Sequence, residues 1–405
     1  MNLERLTRQL DERLERADSA LAAQFRGDRG GRQPVHTVYV PANRYQAALC
    51  PEWGEQALAA VDDHAAVFAD LVQDDDIVAR VREKLEIEPI EDLRIDFEDG
   101  YGSKPDDVED SDAAAASGAL AHSQADRTAA PFHGIRIKSF EAPTRARGLR
   151  TFATFLDRLI DAGGTTDKFV TTLPKVTSVD QVEAMVYVCD QTERELGVRG
   201  LRFEIQVETP QSILGPDGTA LIARMIHAAQ GRCSALHYGT YDYSAFCGIA
   251  AEYQSMAHPV ADHAKLVMQA AAAGTGVRLS DGSTNVLPIG DAAAVRAGWK
   301  LHLELVRRSL ERGYYQGWDL HPAQLPTRFA ATFAFYRAGL ERATIRLRNY
   351  LYQEDSAILD EPATARALAD YIVRAVSCGA AEADEVRATT GRSLPDLIEL
   401  ARPGR

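Results

Sequence analysis

Cysteine is scarce. Cys50, Cys189, Cys233, Cys247 and Cys378 are odd in number and scattered through 405 residues. No Cys-x-x-Cys pair occurs, which excludes zinc-ribbon and dithiol redox motifs and leaves the thiols as small buried hydrophobes. Long apolar runs are missing too: nothing approaches the roughly 20 apolar residues of a membrane helix, and Met1-Asn-Leu-Glu-Arg5 meets charge at once. A cytoplasmic protein with no membrane partner is the expectation. Positive charge is in deficit, with 45 Lys and Arg against 59 Asp and Glu, and the net charge of -14 contains no basic cluster of the kind that binds DNA or RNA. Nucleic acid is not an expected partner. Tryptophan is limited to three residues, too few to favour the aromatic-lined cleft of a glycoside hydrolase, the other enzyme class that works with two barrel carboxylates. No nucleophile elbow, P-loop or Gly-x-Gly-x-x-Gly follows a strand-like run, so the usual signs of serine hydrolases, P-loop enzymes and Rossmann dehydrogenases are absent.

What the chain does have is alternation. Its length and 45% apolar content suffice for one barrel-sized domain with extras, or for two domains. Strand-like runs fall at 36–42, 92–99, 133–139, 168–176, 202–209, 233–242, 276–284 and 317–322, with helical patterns between nearly all of them. After Gly148, the residues Leu149, Phe152, Leu156 and Leu159 share one helical face before the stop at Gly163-Gly164. Ser178 and Gln181 have the spacing of a capping box ahead of Val182, Met185, Val186 and Cys189. The pattern predicts an α/β fold, a (β/α)8 TIM barrel over residues 33–326. An N-terminal helical extension, 1–32, precedes it; Leu3, Leu6, Leu10 and Leu14 trace a helix expected to end well before the turn Gly27-Asp-Arg-Gly-Gly31. A C-terminal helical extension, 327–405, follows, with helices expected at 328–352, 364–377 and near Leu394. Residues 103–131 form an acidic, Ala-rich stretch read as the crossover after the second strand.

Side-chain parity assigns the faces. Leu93, Ile95 and Phe97 oppose Arg94, Asp96 and Glu98; Ile135 and Ile137 oppose Arg136 and Lys138; Phe203, Ile205 and Val207 oppose Glu204, Gln206 and Glu208. An antiparallel sheet with one wet face would alternate in the same way, but the helical crossovers favour parallel strands whose polar face lines a barrel.

Glu208 and Asp242 end two neighbouring strand-like runs, and the carboxyl ends of parallel strands share one mouth. Two carboxylates brought together there repel by roughly 4 kcal/mol at an intermediate dielectric, a conflict that a hard divalent cation removes. Mg²⁺ or Mn²⁺ takes one or two carboxylates and leaves other positions to water and substrate. As isolated carboxylates, both could equally be ion-pair partners or helix caps. Asp96 and Glu98 point the same way, either to support a cation or to neutralise Arg94, Arg136 or Lys138. Arg136 offers a fixed positive charge for an oxyanion or enolate. Lys138 is expected to face the same lumen, where a Schiff-base role competes with the metal for one electron-sink task. Lys175 is an inward-facing candidate ion-pair partner, and His321 is a structural residue at the rim.

The order of the fragments Val38-Tyr-Val-Pro-Ala-Asn43, Asp96-Phe-Glu-Asp99, Ile135-Arg-Ile-Lys138, Leu173-Pro-Lys-Val176, Val207-Glu-Thr209, Gly239-Thr-Tyr-Asp242 and His321-Pro-Ala-Gln324 resembles the successive strand motifs of the HpcH/HpaI aldolase and citrate lyase β-subunit (CitE-like) family. That family sits in the phosphoenolpyruvate/pyruvate barrel superfamily, with malate synthase and malyl-CoA lyase. The resemblance spans residues 36–324, and its specificity lies in the order of the fragments. It implies a Mg²⁺-dependent carbon–carbon lyase or aldolase acting on a 2-oxo acid, hydroxy acid or acyl-CoA thioester. Glu208 and Asp242 would hold the metal, Arg136 the oxo-acid or enolate oxygen, and Asp96 and Glu98 would support them. The expected substrate contacts are Arg136, Lys138, Lys175, Thr209, Gly239 and Thr240. Lys138 departs from the family, whose members often carry Asn two residues after the arginine. Assembly into a homo-oligomer through the C-terminal helices is expected. A catalytically silent barrel serving as a binding or assembly module is the alternative.

Overall fold

The computed structural model describes residues 1–28, 30–353 and 360–402. Among these, eight parallel strands form one sheet: β1 (His36–Pro41), β2 (Asp92–Asp96), β3 (Phe132–Arg136), β4 (Phe169–Leu173), β5 (Arg202–Val207), β6 (Cys233–Tyr238), β7 (Arg278–Ser280) and β8 (Gly317–Asp319). Their order is β7-β6-β5-β4-β3-β2-β1-β8. A parallel bridge between Ser280 and Gln316 joins the two outer strands, and the sheet closes into a (β/α)8 barrel.

Each expected strand is present, and most end two to four residues before the alternation suggests. The parity holds within the strands. Leu93, Ile95, Ile135, Phe203 and Ile205 are buried outward against the helices, each contributing about 1.5–3 kcal/mol by leaving water. The opposite face fills the lumen with polar groups: Arg94 reaches Asp92 and Glu204, and the Trp318 indole N–H donates to His237 Nδ1 at 3.1 Å.

Helices cover the outside. In Arg145–Asp161 the residues Phe152, Phe155, Leu156 and Leu159 are buried, whereas Leu149, expected on the same face, is exposed at the stripe's edge. The Ser178–Gln181 capping box forms and starts Val179–Leu196. Helix Leu325–Tyr352 belongs to the barrel wall: its Arg328 donates to Asp319 of β8 at 2.9 Å, and the same carboxylate meets His36 Nδ1 at 2.8 Å and His302 Nε2 at 3.1 Å. The boundary expected between 326 and 327 therefore falls inside a helix. Pro362–Ser377 packs along it, with the Tyr371 hydroxyl donating to the Phe335 carbonyl at 2.7 Å.

The N-terminal helix spans Leu3–Gln24. It continues past the expected end because residues 15–24 hold no breaker and the Ala-rich segment Ala17–Ala23 favours helix. None of its residues is buried. The turn that follows is fixed by Gly27 N donating to the Gly274 carbonyl at 2.9 Å. No helix among the described residues is long and apolar enough to cross a membrane.

Candidate active site

The site is assembled where the strands stop. β2 ends at Asp96, and both oxygens of its carboxylate are used twice. Oδ1 accepts from Arg136 Nε at 2.6 Å and from the Glu98 N–H at 2.9 Å, while Oδ2 accepts from Arg136 Nη2 at 2.7 Å and from the Gly100 N–H at 2.9 Å. Asp96 thus clamps the guanidinium in bidentate fashion and folds the loop after β2. Arg136 lies over the Tyr39 ring at 4.8 Å, and its Nη1 is 3.4 Å from Gln206 Oε1 and 3.6 Å from Glu98 Oε2. Burial works against its charge, but Asp96 outweighs that and holds Arg136 well above the usual value.

From β5, the buried Glu208 accepts from Gln206 Nε2 through one oxygen and from the Lys175 backbone N–H at 2.7 Å through the other. Burial pushes Glu208 well above the usual carboxylate range; Lys175 pulls it back, while Glu98 and Asp242 push it further up. Gly239 makes room for it, since a Cβ there would stand 2.5 Å from Glu208 Cβ. Asp242, read from the sequence as a strand end, lies in the first turn of helix Thr240–Phe246. Carboxylate oxygens of Asp99, Glu208 and Asp242 lie within 4.8 Å of one another. Hard oxygen donors in this number suit a divalent cation such as Mg²⁺ or Mn²⁺.

A cation of the chain's own sits among them. Lys175 Nζ is 2.7 Å from Glu98, 3.0 Å from Asp99, 3.4 Å from Asp242 and 3.9 Å from Glu208. Its backbone is left-handed at φ 51°, a conformation uncommon for a residue other than glycine and stabilised here by the bond to Glu208. Burial alone would lower the Lys175 ammonium, and the carboxylates of Glu208 and Glu98 raise it instead. Burial also brings Glu98 up to about 7 against the pull of Arg136, whereas Asp99, in spite of its burial, is held low through Glu98, Arg136 and Lys175.

Residues 14–403 match a family described as a domain of unknown function, DUF6986. The chain belongs to the DUF6986 family. No curated protein matches it. Solved structures similar to this DUF6986 chain include Haloferax volcanii malate synthase in a lead(II) complex, at 16% identity and a TM-score of 0.51, covering 93% of this chain and 89% of the other. The magnesium/glyoxylate complex of the same protein matches at 14% identity and a TM-score of 0.51, covering 93% and 99%. An HpcH/HpaI aldolase/citrate lyase family protein from Burkholderia cenocepacia is similar at 16% identity and a TM-score of 0.41, covering 80% and 98%. The likeness to the two malate synthase structures is one of fold.

In the DUF6986 chain, then, Arg136, Glu98, Lys175, Glu208 and Asp242 come together, and Asp96 holds Arg136. Lys138 does not join them. β3 ends at Arg136, so parity no longer governs two residues on, and Lys138 Nζ turns to Glu109 at 2.8 Å and to the Phe97 carbonyl at 2.6 Å. Thr209 ties β5 to the segment after β4, its hydroxyl donating to the Val176 carbonyl at 2.6 Å. Thr240 Oγ1 accepts from the Ser283 N–H at 3.3 Å. His321 caps the turn Pro322–Gln324, Nδ1 accepting from the Ala323 N–H at 3.2 Å. Asp99 was hidden in the sequence: strict alternation puts it on the apolar face. The signal was the dipeptide Asp99-Gly100, which marks a turn and so an end to alternation. A separate cleft of about 820 Å³, lined by Leu303, Phe335, Leu368 and Tyr371 among others, lies on the helical shell and contains none of these groups.

Proposed function

We propose that this DUF6986 protein is an enzyme that forms or cleaves a carbon–carbon bond beside the carbonyl of a 2-oxo acid, hydroxy acid or acyl-CoA thioester, with Mg²⁺ or Mn²⁺ held by Glu208, Asp242 and Asp99. The observation that carries this reading is the convergence of those three carboxylates within 4.8 Å at the barrel mouth, with Arg136 fixed beside Glu98. Haloferax volcanii malate synthase, similar in fold, forms a magnesium/glyoxylate complex, which supports this reading. A cation bound by these oxygens would act as a Lewis acid toward the substrate's carbonyl.

The chain's own residues do the rest. Arg136, immobilised by Asp96 and stacked on Tyr39, stabilises negative charge on a substrate oxygen as the carbon–carbon bond breaks and its electron pair moves into an enolate. Because the clamp is already formed, no reorganisation is needed when that charge develops. Protonation at carbon then releases the product, and the reverse order of events is a condensation. Glu98, between Arg136 and Lys175, accepts or returns a proton at its carboxylate oxygens. Thr209, Gly239 and Thr240 shape the walls beside Glu208.

The test is proton NMR of pyruvate and of acetyl-CoA in deuterated buffer with protein and Mg²⁺, compared with a chelator and with Glu208→Gln. Metal-dependent loss of a methyl signal, abolished by the substitution, supports enolate chemistry. Folded, metal-loaded protein that exchanges neither methyl group counts against it. One observation favours the second reading, a barrel without catalysis that serves as a binding or assembly module: Lys175 already neutralises the carboxylates from within.

A further inference from the structure

We propose that Lys175 is a tethered cation that occupies the seat between Asp99, Glu208 and Asp242 and gives it up when a divalent cation binds, so that metal loading and release of the Lys175 ammonium are one event. This rests on the metal reading above and adds a residue that sets the affinity of the seat.

The argument is steric and electrostatic. The ammonium lies 3.0 Å from Asp99, 3.4 Å from Asp242 and 3.9 Å from Glu208, the same carboxylates that would ligate the ion. Mg²⁺ needs its ligands at about 2.0–2.1 Å, so an ion drawn to these three carboxylates competes with the ammonium for the same space. Removing the lysine with nothing in its place leaves four carboxylates facing one another, one of them wholly buried, and that repulsion is what draws a cation in.

The lysine is built to move. Its backbone is pinned, with the N–H on Glu208 at 2.7 Å, so only the flexible four-carbon stem has to swing. The side chain is 21% exposed, which opens a path toward solvent at the mouth. Its shortest contact is the 2.7 Å pair with Glu98, which stands outside the three-carboxylate group and can keep the ammonium after the other three release it. The freed charge then faces the mouth where an anionic substrate enters.

The test is Mn²⁺ binding to the full-length protein, followed by electron paramagnetic resonance of free Mn²⁺, in wild type, Lys175→Met, Glu208→Gln and the double variant. Lys175→Met is expected to bind Mn²⁺ at least tenfold more tightly than wild type, with Glu208→Gln weakening binding in both backgrounds. In chelator, Lys175→Met should melt below wild type and recover with Mn²⁺. Should it fail to fold, Lys175→Gln and acetylation of Lys175 in the unaltered protein take its place; acetylation read by mass spectrometry should rise when Mn²⁺ is added. Equal or weaker affinity in the folded variant, or acetylation indifferent to Mn²⁺, overturns the tethered cation while Glu208-dependent binding leaves the metal reading standing. No Glu208-dependent binding in either protein overturns both.

Discussion

Arg94 and Glu204 meet across the barrel lumen, joined by parallel hydrogen bonds of 3.0 Å from Nε and 2.7 Å from Nη2. Both are buried, one on β2 and the other on β5. Thr172 donates to one oxygen of Glu204, and His237 Nε2 lies 3.1 Å from the other. The pair fills the barrel where many such folds use branched hydrophobes.

Removing one partner should therefore be far costlier than removing both along with the charge of Asp92. Glu204→Gln or Arg94→Met strands a buried charge and is expected to lower unfolding stability by about 3–5 kcal/mol. Because Arg94 also pairs with the buried Asp92, Arg94→Met combined with Glu204→Leu and Asp92→Asn should recover part of that loss. Urea denaturation of the three variants reads the difference, and equal losses in single and combined variants would speak against an ion-pair core.

Gly239→Ala tests how closely β6 must pass Glu208. The new Cβ falls 2.5 Å from Glu208 Cβ, an atom that cannot move without the backbone of its own strand, so the clash displaces the carboxylate and the strand end together. Mn²⁺ affinity is expected to drop by roughly 10–100-fold, the range found when the support of a metal ligand is disturbed. The unfolding midpoint should fall as well, since Glu208 is buried and its strand must give way. Calorimetric titration beside a thermal melt separates the two effects.

His133 makes stability depend on pH. Burial lowers its pKa below 6.5; the ring's Nδ1–H donates to the Ala130 carbonyl at 3.0 Å and Nε2 accepts from Gln124 Nε2 at 2.9 Å. Above pH 6.5 neither the folded nor the unfolded chain protonates this ring, and its contribution is complete. As pH falls below that value, the unfolded chain takes up a proton that the folded ring refuses, so stability declines until the folded pKa is reached. The slope from one such group is at most about 1.4 kcal/mol per pH unit. Urea midpoints at pH 7.5 and 5.5 should differ less in His133→Phe than in wild type, and an unchanged difference would sink the assignment.

The barrel was legible because period-two polarity between helical segments leaves few other folds, and Leu93, Ile95, Phe203 and Ile205 lie on the face that parity gives them. Strand ends were not legible. Alternation in the sequence continues beyond the last ladder bond, so Lys138 was read as facing the lumen although the chain had already turned, and Asp99 was passed over for the same reason. Asp242 was legible only as the end of the run 233–242, although Tyr238 and Tyr241 stand three residues apart, a helical spacing; the strand ends at Tyr238 and a short helix begins at Thr240. Lys175 was legible as an ion-pair partner by position. Its encirclement by four carboxylates was not, because Glu98 and Asp99, Glu208 and Asp242 arrive from three separate stretches of chain. The length of the N-terminal helix was underestimated because leucines alone were used to trace it, and Ala17, Ala20 and Ala22 extend it without adding to the stripe.

That helix has a practical consequence. Twenty-two residues at 1.5 Å each make a rod of about 33 Å. It leaves the barrel beside Gly274, ahead of β7, at the face opposite the mouth. A label, a surface linker or a fusion partner attached at Met1 therefore sits on a natural spacer, with the carboxylate cluster directed the other way. Immobilised through this end, the protein presents its mouth to the surrounding solution.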